Sequence, residues 1–241
     1  MPLATANAAP ASLHRHDWAA VSADLDSQGW SRLPGLLDAE TCRDVAALYE
    51  RPEGFRSHVV MGRHGYGRGE YRYFAYPLPA LVEDLRTCLY DRLAPLADRW
   101  SERLGLQTRF PPTHAAFLKR CHAAGQVRPT PLVLSYGAGD YNCLHQDLYG
   151  EHVFPLQVAV LLSEPGRDFE GGEFVLTEQR PRMQSRADVV PLRQGDAVIF
   201  WVNSRPLAGA RGDYRVQMRH GVSTIRSGHR RTMGLIFHDA L

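Results

Sequence analysis

RRTMGLIF, residues 230–237, alternates as a β-strand with two unlike faces must. Arg230, Thr232, Gly234 and Ile236 project to one side, and Arg231, Met233, Leu235 and Phe237 to the other. Further short apolar runs precede it: PLVLSYG (131–137), VFPLQVAVLLS (153–163), GEFVLT (172–177), ADVVPL (187–192) and DAVIFWV (196–202). They are rich in Val, Ile, Phe and Tyr and are punctuated by Gly, Pro, Asp and Arg, so each is predicted to be a strand. Several short strands at near-regular spacing indicate a sandwich or barrel.

Upstream the period is helical. Residues 18–30 (WAAVSADLDSQGW) and 37–50 (LDAETCRDVAALYE) read as a helix, a break at Gly29 and a second helix with Asp38 as its N-cap. Residues 81–104 return to helical spacing, with Pro95 expected to kink or break the run. Residues 51–79 contain HGYGRGEYRYFAYP (64–77), too irregular for a helix, and are expected to hold a strand with a mobile approach loop. The predicted architecture is α+β: a disordered tail over 1–13, a mainly helical support region over 14–110 packed on one sheet, and a β core over 111–241, the last two forming one unit.

The composition excludes several classes. The 241 residues are 44% hydrophobic and 22% charged, enough for a core, and no apolar run approaches the 18 residues of a membrane span. The four cysteines have no C-x-x-C spacing, so neither a zinc knuckle nor a disulfide framework is indicated and a reducing, cytoplasmic setting is expected. Residues 1–16 lack the basic and apolar regions of a signal peptide. The net charge of +2 conceals an uneven distribution. From Arg180 to Arg231 eleven arginines face three acids (Asp188, Asp196 and Asp213), a local +8. Arg182, Arg186, Arg205, Arg211, Arg215 and Arg219 are therefore candidates for phosphate contacts of a polyanion, the alternative being a solvated arginine-rich surface.

In CLHQDLY (143–149), His145 and Asp147 share one face of an extended strand while Gln146 points away. A neutral imidazole beside a carboxylate makes a two-point chelate for a divalent metal. His220 can supply a third ligand, whereas His152 follows too closely to come from a different strand. Two histidines and a carboxylate occupy one face of an octahedral ion and leave three positions open, which suits non-haem Fe(II) and oxygen chemistry. A closed zinc site would need a fourth protein ligand.

These residues resemble the H-x-D…H…R/K pattern of the 2-oxoglutarate and Fe(II)-dependent dioxygenases, which is carried on a double-stranded β-helix of the jelly-roll, cupin-like kind. Arg230 lies ten residues after His220, as in the prolyl-hydroxylase-like branch, and Arg230-x-Thr232 resembles that family's R-x-S pair. GGEF (171–174) and PLRQGDAVIFW (191–201) match as well, so the resemblance spans about 131–239. His229 and His238 lack a basic residue ten positions on.

The resemblance implies that His145, Asp147 and His220 are catalytic and hold Fe(II), and that Arg230 and Thr232 hold the distal carboxylate of 2-oxoglutarate, with Tyr136 as a further cosubstrate contact. Dioxygen is the second cosubstrate and ascorbate an optional reductant. The implied reaction couples decarboxylation of 2-oxoglutarate to succinate with C–H hydroxylation, or with demethylation where the carbon is an N-methyl group. HGVSTIRSGHRRTMGLIFHD (220–239) also resembles a bacterial family described as oxidising damaged nucleic acid. Nucleic acid is thus one candidate substrate, and a prolyl, amino-acid or small-molecule substrate another. A metal-dependent hydrolase or isomerase, or a non-catalytic binding module, are the other uses of such a barrel. Asn142, Gln157, Trp201 and Asn203 are candidate pocket residues, Gly234 is expected to leave room for a ligand, and residues 64–76 to form a lid or a stacking surface for bases.

Overall fold

The computed structural model describes residues 8–148, 150–210 and 212–241, with side chains from residue 11 onward. Among them are five α-helices: α1 (Ala8–Leu13), α2 (Trp18–Gln28), α3 (Ala39–Leu48), α4 (Ala80–Arg103) and α5 (His114–Ala123). Of the tail expected over 1–13, residues 1–7 lie outside the described residues and residues 8–13 form α1. Leu13 of α1 is 1% exposed in the main core, and its carbonyl accepts a 3.0 Å hydrogen bond from the Trp18 indole. A buried leucine offsets the ordering cost that otherwise leaves a terminus loose.

Caps set the helix ends. Asp17 accepts from the Ala19 and Ala20 amides at 2.9 and 3.2 Å, and Gly29 closes α2 at φ 84°, a left-handed conformation that glycine adopts without steric cost. Asp38 caps α3 by accepting from Thr41 N at 2.7 Å. Of the kink or break expected at Pro95, the break does not occur: α4 continues through it. Leu89, Leu93, Ala94, Leu96, Ala97 and Trp100 are buried along this helix, and that burial outweighs the one hydrogen bond proline removes. The region from 111 opens not with a strand but with α5, capped by Thr113.

The strands of the first half are β1 (Trp30–Leu33), β2 (Phe55–Val60), β3 (Gly67–Arg68) and β4 (Glu70–Phe74). Then follow β5 (Leu132–Tyr136), β6 (Tyr141–His145), β7 (Leu156–Leu161), β8 (Phe169–Gly171), β9 (Phe174–Gln179), β10 (Arg186–Val190) and β11 (Ala197–Trp201). The last are β12 (Ser204–Gly209), β13 (Gly212–Val222), β14 (Ile225–Gly228) and β15 (Arg230–Leu235). One antiparallel sheet has the order β1-β11-β7-β15-β5-β4-β2 and a second the order β10-β9-β13-β6-β3, with β12 on β13. No helix among the described residues is long and apolar enough to cross a membrane.

The alternation read in RRTMGLIF separates two cores. Met233, Leu235 and Phe237 share a cluster with Leu25, Val45, Leu89 and Phe117, where the helices cover the larger sheet. On its other face Ala159, Val198 and Phe200 meet Phe174 and Leu176 of the smaller sheet. Behind the larger sheet Arg86 of α4, fully buried, donates to Ile236 O at 2.8 Å and to Asp239 Oδ1 at 2.7 Å, fixing the chain where it leaves β15. His238 belongs to this bolt, its Nδ1 accepting from Phe154 N at 3.2 Å, and is fully buried.

Two expectations for the N-terminal region are corrected. It supplies β1, at the edge of the larger sheet beside β11, within what read as helix, turn and helix. Residues 51–79 are a three-strand insert: β2 and β4 extend the larger sheet through β5, while β3 joins the smaller one through β6. Cys143 N donates to Tyr66 O at 2.9 Å and Met61 N to Gly69 O at 3.0 Å, so the approach segment is stitched into both sheets. Glycine is needed at 67, at φ 126°, because a Cβ would press on Tyr141 O and lie 3.1 Å from Asn142 Cα.

Candidate metal centre and anion pocket

β6 and β13 pair so that His145 stands directly opposite His220. β6 ends at His145, and Asp147 reaches back from the segment after it rather than from the strand itself. Asp147 Oδ1 lies 3.5 Å from His145 Nε2, and its Oδ2 lies 3.4 Å from His220 Nε2. One potential ligand atom from each of the three residues falls within 4.8 Å of the others. Asp147 and His220 are 8% and 7% exposed, and His145 is half-buried.

The surroundings prepare these groups for a cation. His145 Nδ1 is 2.8 Å from Cys143 O, so the ring donates there and Nε2 keeps its lone pair for a metal. His220 is packed against Phe200 at 4.6 Å between ring centroids and against Phe174 at 6.2 Å. Burial lowers its pKa below the ordinary histidine value, against the opposing pull of Asp147, which favours the neutral ligating ring. Gln146, between the two ligands, donates to Met218 O at 2.7 Å and Asn203 Oδ1 at 3.0 Å. That bond ties the H-x-D segment to β13 two residues from His220, a role the sequence reading missed.

The three residues line a cavity of about 240 Å³ that also takes in Arg230, Thr232, Gly234 and Ile236, the face expected from alternation. Arg230 is 1% exposed. Its NH1 donates to Thr232 Oγ1 at 2.6 Å, its guanidinium carbon lies 5.8 and 5.9 Å from the Tyr136 and Phe169 rings, and its Nε has no partner. No carboxylate pairs with it among the described residues. Burial depresses its pKa to about 10, only partly opposed by Tyr136 and Glu173. An enclosed cation in this state has an unmet need for an anion.

Tyr136 stands opposite Arg230 on β5, fully buried, with its hydroxyl accepting from Asn142 Nδ2 at 3.4 Å; burial pushes its pKa up. Gly172, at φ 62°, lets the GGEF segment approach Arg230, whose Cδ would lie 2.9 Å from any Cβ there. Gly234 lies on the cavity wall, as the alternation places it. A Cβ would meet Leu132 Cδ2 at 2.7 Å, so its smallness accommodates that leucine.

Asn142 and Gln157 line the cavity, whereas Trp201 and Asn203 line a separate groove beside α4. Tyr66, Tyr71 and Tyr73 form a wall of the cavity; the tyrosine-rich run signalled a stacking surface without saying which rings turn inward. Arg205 is withdrawn from the phosphate candidates. It is fully buried, ion-paired with Glu178, and donates to the carbonyls of Asp26 and Ser27 at 3.1 and 3.2 Å. Arg186 pairs with Asp188 at 3.3 Å, and Arg211 lies outside the described residues. Arg182, Arg215 and Arg219 are exposed and form no ion pair among the described residues.

Facing antiparallel sheets with this cavity between them define a fold class shared with solved 2-oxoglutarate–Fe(II) oxygenases. A prolyl-4-hydroxylase of Pseudomonas putida aligns at a TM-score of 0.56 and 16% identity over 93% of this chain and 100% of its own. A prolyl hydroxylase of Trichoplax adhaerens gives 0.58 and 15% over 92% and 89%, and a 2OG-Fe(II) oxygenase family protein of Burkholderia pseudomallei gives 0.54 and 18% over 94% and 93%. Identities this low show the fold alone. Proteins of two Mycobacterium tuberculosis strains, both described as uncharacterized, are 52% identical over 167 residues, 69% of this chain and 72% of theirs. Residues 69–240 match the Oxygenase-NA family, described as an oxygenase catalysing oxidative methylation of damaged DNA. The chain belongs to that family, and is thereby an oxidoreductase.

Proposed function

We propose that the protein is an Fe(II)- and 2-oxoglutarate-dependent dioxygenase that oxidises alkylated nucleic acid. The observation that carries this reading is Arg230, a buried guanidinium without a carboxylate partner in the same cavity as His145, Asp147 and His220. The donor set fits Fe(II): the imidazoles of His145 and His220 and the carboxylate of Asp147 would hold the ion, the two-histidine, one-carboxylate set that suits oxygen chemistry. Arg230 and Thr232 hold the distal carboxylate of 2-oxoglutarate, and Tyr136 closes that end of the cavity. The two sheets form a double-stranded β-helix in this reading, with residues 14–110 supporting a core over 111–241.

Bound Fe(II), with 2-oxoglutarate and dioxygen, supplies the oxidation of a C–H bond, releasing succinate and carbon dioxide. The protein's own contribution is orientation and exclusion of water. Phe174 and Phe200 shield His220, and the tyrosine wall narrows the approach to the three ligands. Such a centre oxidises methyl groups and has no methyl donor, so we read the family's reaction on damaged DNA as oxidative removal: an N-methyl carbon, once hydroxylated, leaves as formaldehyde. Exposed Arg182, Arg215 and Arg219 suit a phosphate backbone. The ten-residue step from His220 to Arg230 favours a second reading, hydroxylation of a peptide or small molecule. Four free cysteines fit a cytoplasmic location.

The test is calorimetry with Mn(II) as a redox-silent metal. Binding of 2-oxoglutarate that needs the metal and is lost in Arg230→Met supports the reading, and metal-independent or absent binding contradicts it.

A further inference from the structure

Gln157 of β7 is 4% exposed, lines the cavity, and its amide nitrogen has no hydrogen-bond partner. Buried donors are seldom left in that state unless a ligand or water satisfies them. Its place along the sheet indicates which ligand. Gln157 pairs in register with Phe200, the ring packed on His220 at 4.6 Å. Leu235 pairs with Val158, so continuing the register sets Gln157 beside Ile236, the residue after β15 and six on from Arg230, or at most about 20 Å. Arg230 and Gln157 thus line the cavity about six strand positions apart, with Gln157 beside the ring that packs on His220. If the cosubstrate occupies the Arg230 end, the amide belongs to the space left for the molecule being oxidised.

That space has flat walls. Tyr71 and Tyr73 meet edge to face at 5.3 Å, and Tyr66, stacked on His64 at 5.3 Å, is 50% exposed. Aromatic faces bind any planar ring without reading its identity, whereas a fixed N–H donor reads an acceptor on the ring's edge.

We propose that Gln157 is a specificity-determining residue that donates to an edge acceptor of an unpaired alkylated base, turning its alkyl carbon toward the metal ligands. The assignment rests on the nucleic-acid oxygenase reading above. Its test uses the full chain with Fe(II), 2-oxoglutarate and single-stranded oligonucleotides carrying one N-methylated adenine or cytosine, each beside its unmethylated counterpart. Gln157→Met keeps length and removes the donor, and Gln157→Glu keeps shape and replaces the donor by an acceptor. Both are expected to raise KM for the stimulating oligonucleotide about tenfold, while calorimetric 2-oxoglutarate affinity stays at the wild-type value. KM within twofold of wild type in both variants would overturn the role of Gln157 and leave the oxygenase reading intact. Weakened 2-oxoglutarate binding would move the residue to the cosubstrate, and loss of the fold in both variants would make it structural; each outcome overturns the proposal. A wild-type enzyme stimulated by no methylated oligonucleotide would remove the nucleic-acid reading and this inference together.

Discussion

Replacing Arg230 by methionine should have opposite effects on the ligand-free and the ligand-bound protein. In the free protein the guanidinium is buried and lacks a carboxylate, and its pKa falls from 12.5 to about 10. At neutral pH the group is protonated in both the folded and unfolded states, so the difference opposes folding, by about 3 kcal/mol at 1.36 kcal/mol per unit. The bond to Thr232 and the contacts with the Tyr136 and Phe169 rings return about 1–2 kcal/mol of that. Arg230→Met should therefore stabilise the ligand-free fold by about 1–2 kcal/mol, a rise in Tm of about 2–8 °C for a chain of this size. With 2-oxoglutarate the order reverses. The wild type should gain about 2.7 kcal/mol at a hundred times Kd, while the variant loses a buried charge pair and about 2–5 kcal/mol of binding. Differential scanning calorimetry with Mn(II), with and without 2-oxoglutarate, reads both effects. A variant that melts below wild type without ligand, or that keeps the 2-oxoglutarate shift, would refute the reasoning, because Arg230 would then be structural.

Other outcomes follow from the buried groups. Burial, reinforced by Arg86, brings His114 and His238 down to a pKa of about 4. The unfolded chain takes up protons below about 6.5, so stability should be flat above that pH and fall between about 6.5 and 4, by up to ~1.4 kcal/mol per pH unit for each ring; urea titrations across that range check the slope. Burial alone would raise the Asp239 pKa, but Arg86, His122 and Tyr76 hold it below the usual carboxylate range. Arg86→Met should then cost about 3–5 kcal/mol by leaving that carboxylate buried without its guanidinium partner, measured by chemical denaturation. Gly172→Ala should strain a left-handed position and push on Ile225 and the Arg230 stem; its signature is weaker 2-oxoglutarate binding with metal binding retained.

The chemistry was more legible in the sequence than the architecture around it. Period-two alternation in 230–237 separates Arg230 and Thr232 from Met233 and Leu235 without knowledge of the partner strands, because a strand has only two faces. The two-residue step from His145 to Asp147 and the distant His220 are likewise visible as residue types. The insert at 55–74 was not. Its pairing to both sheets depends on β5 and β6, more than fifty residues on, and left-handed glycines at 65, 67 and 69 interrupt any period. Arg205 read as surface charge because its partner Glu178 lies 27 residues away on another strand. Helix α4 ran through Pro95 because tertiary burial overrode a local breaker. Gln157 was legible as a pocket candidate, but its unpaired amide depends on what surrounds it in three dimensions.

The central claim is that one cavity couples 2-oxoglutarate to oxidation at His145, Asp147 and His220. Its most direct test measures succinate from the Fe(II)-loaded protein, with and without methylated oligonucleotides, in the wild type and in Asp147→Ala. Oxygen-dependent succinate formation is expected, stimulated by a methylated strand, accompanied by formaldehyde, and lost in the variant. Succinate formation that persists undiminished in Asp147→Ala, or its absence from the wild type under oxygen, would contradict the account.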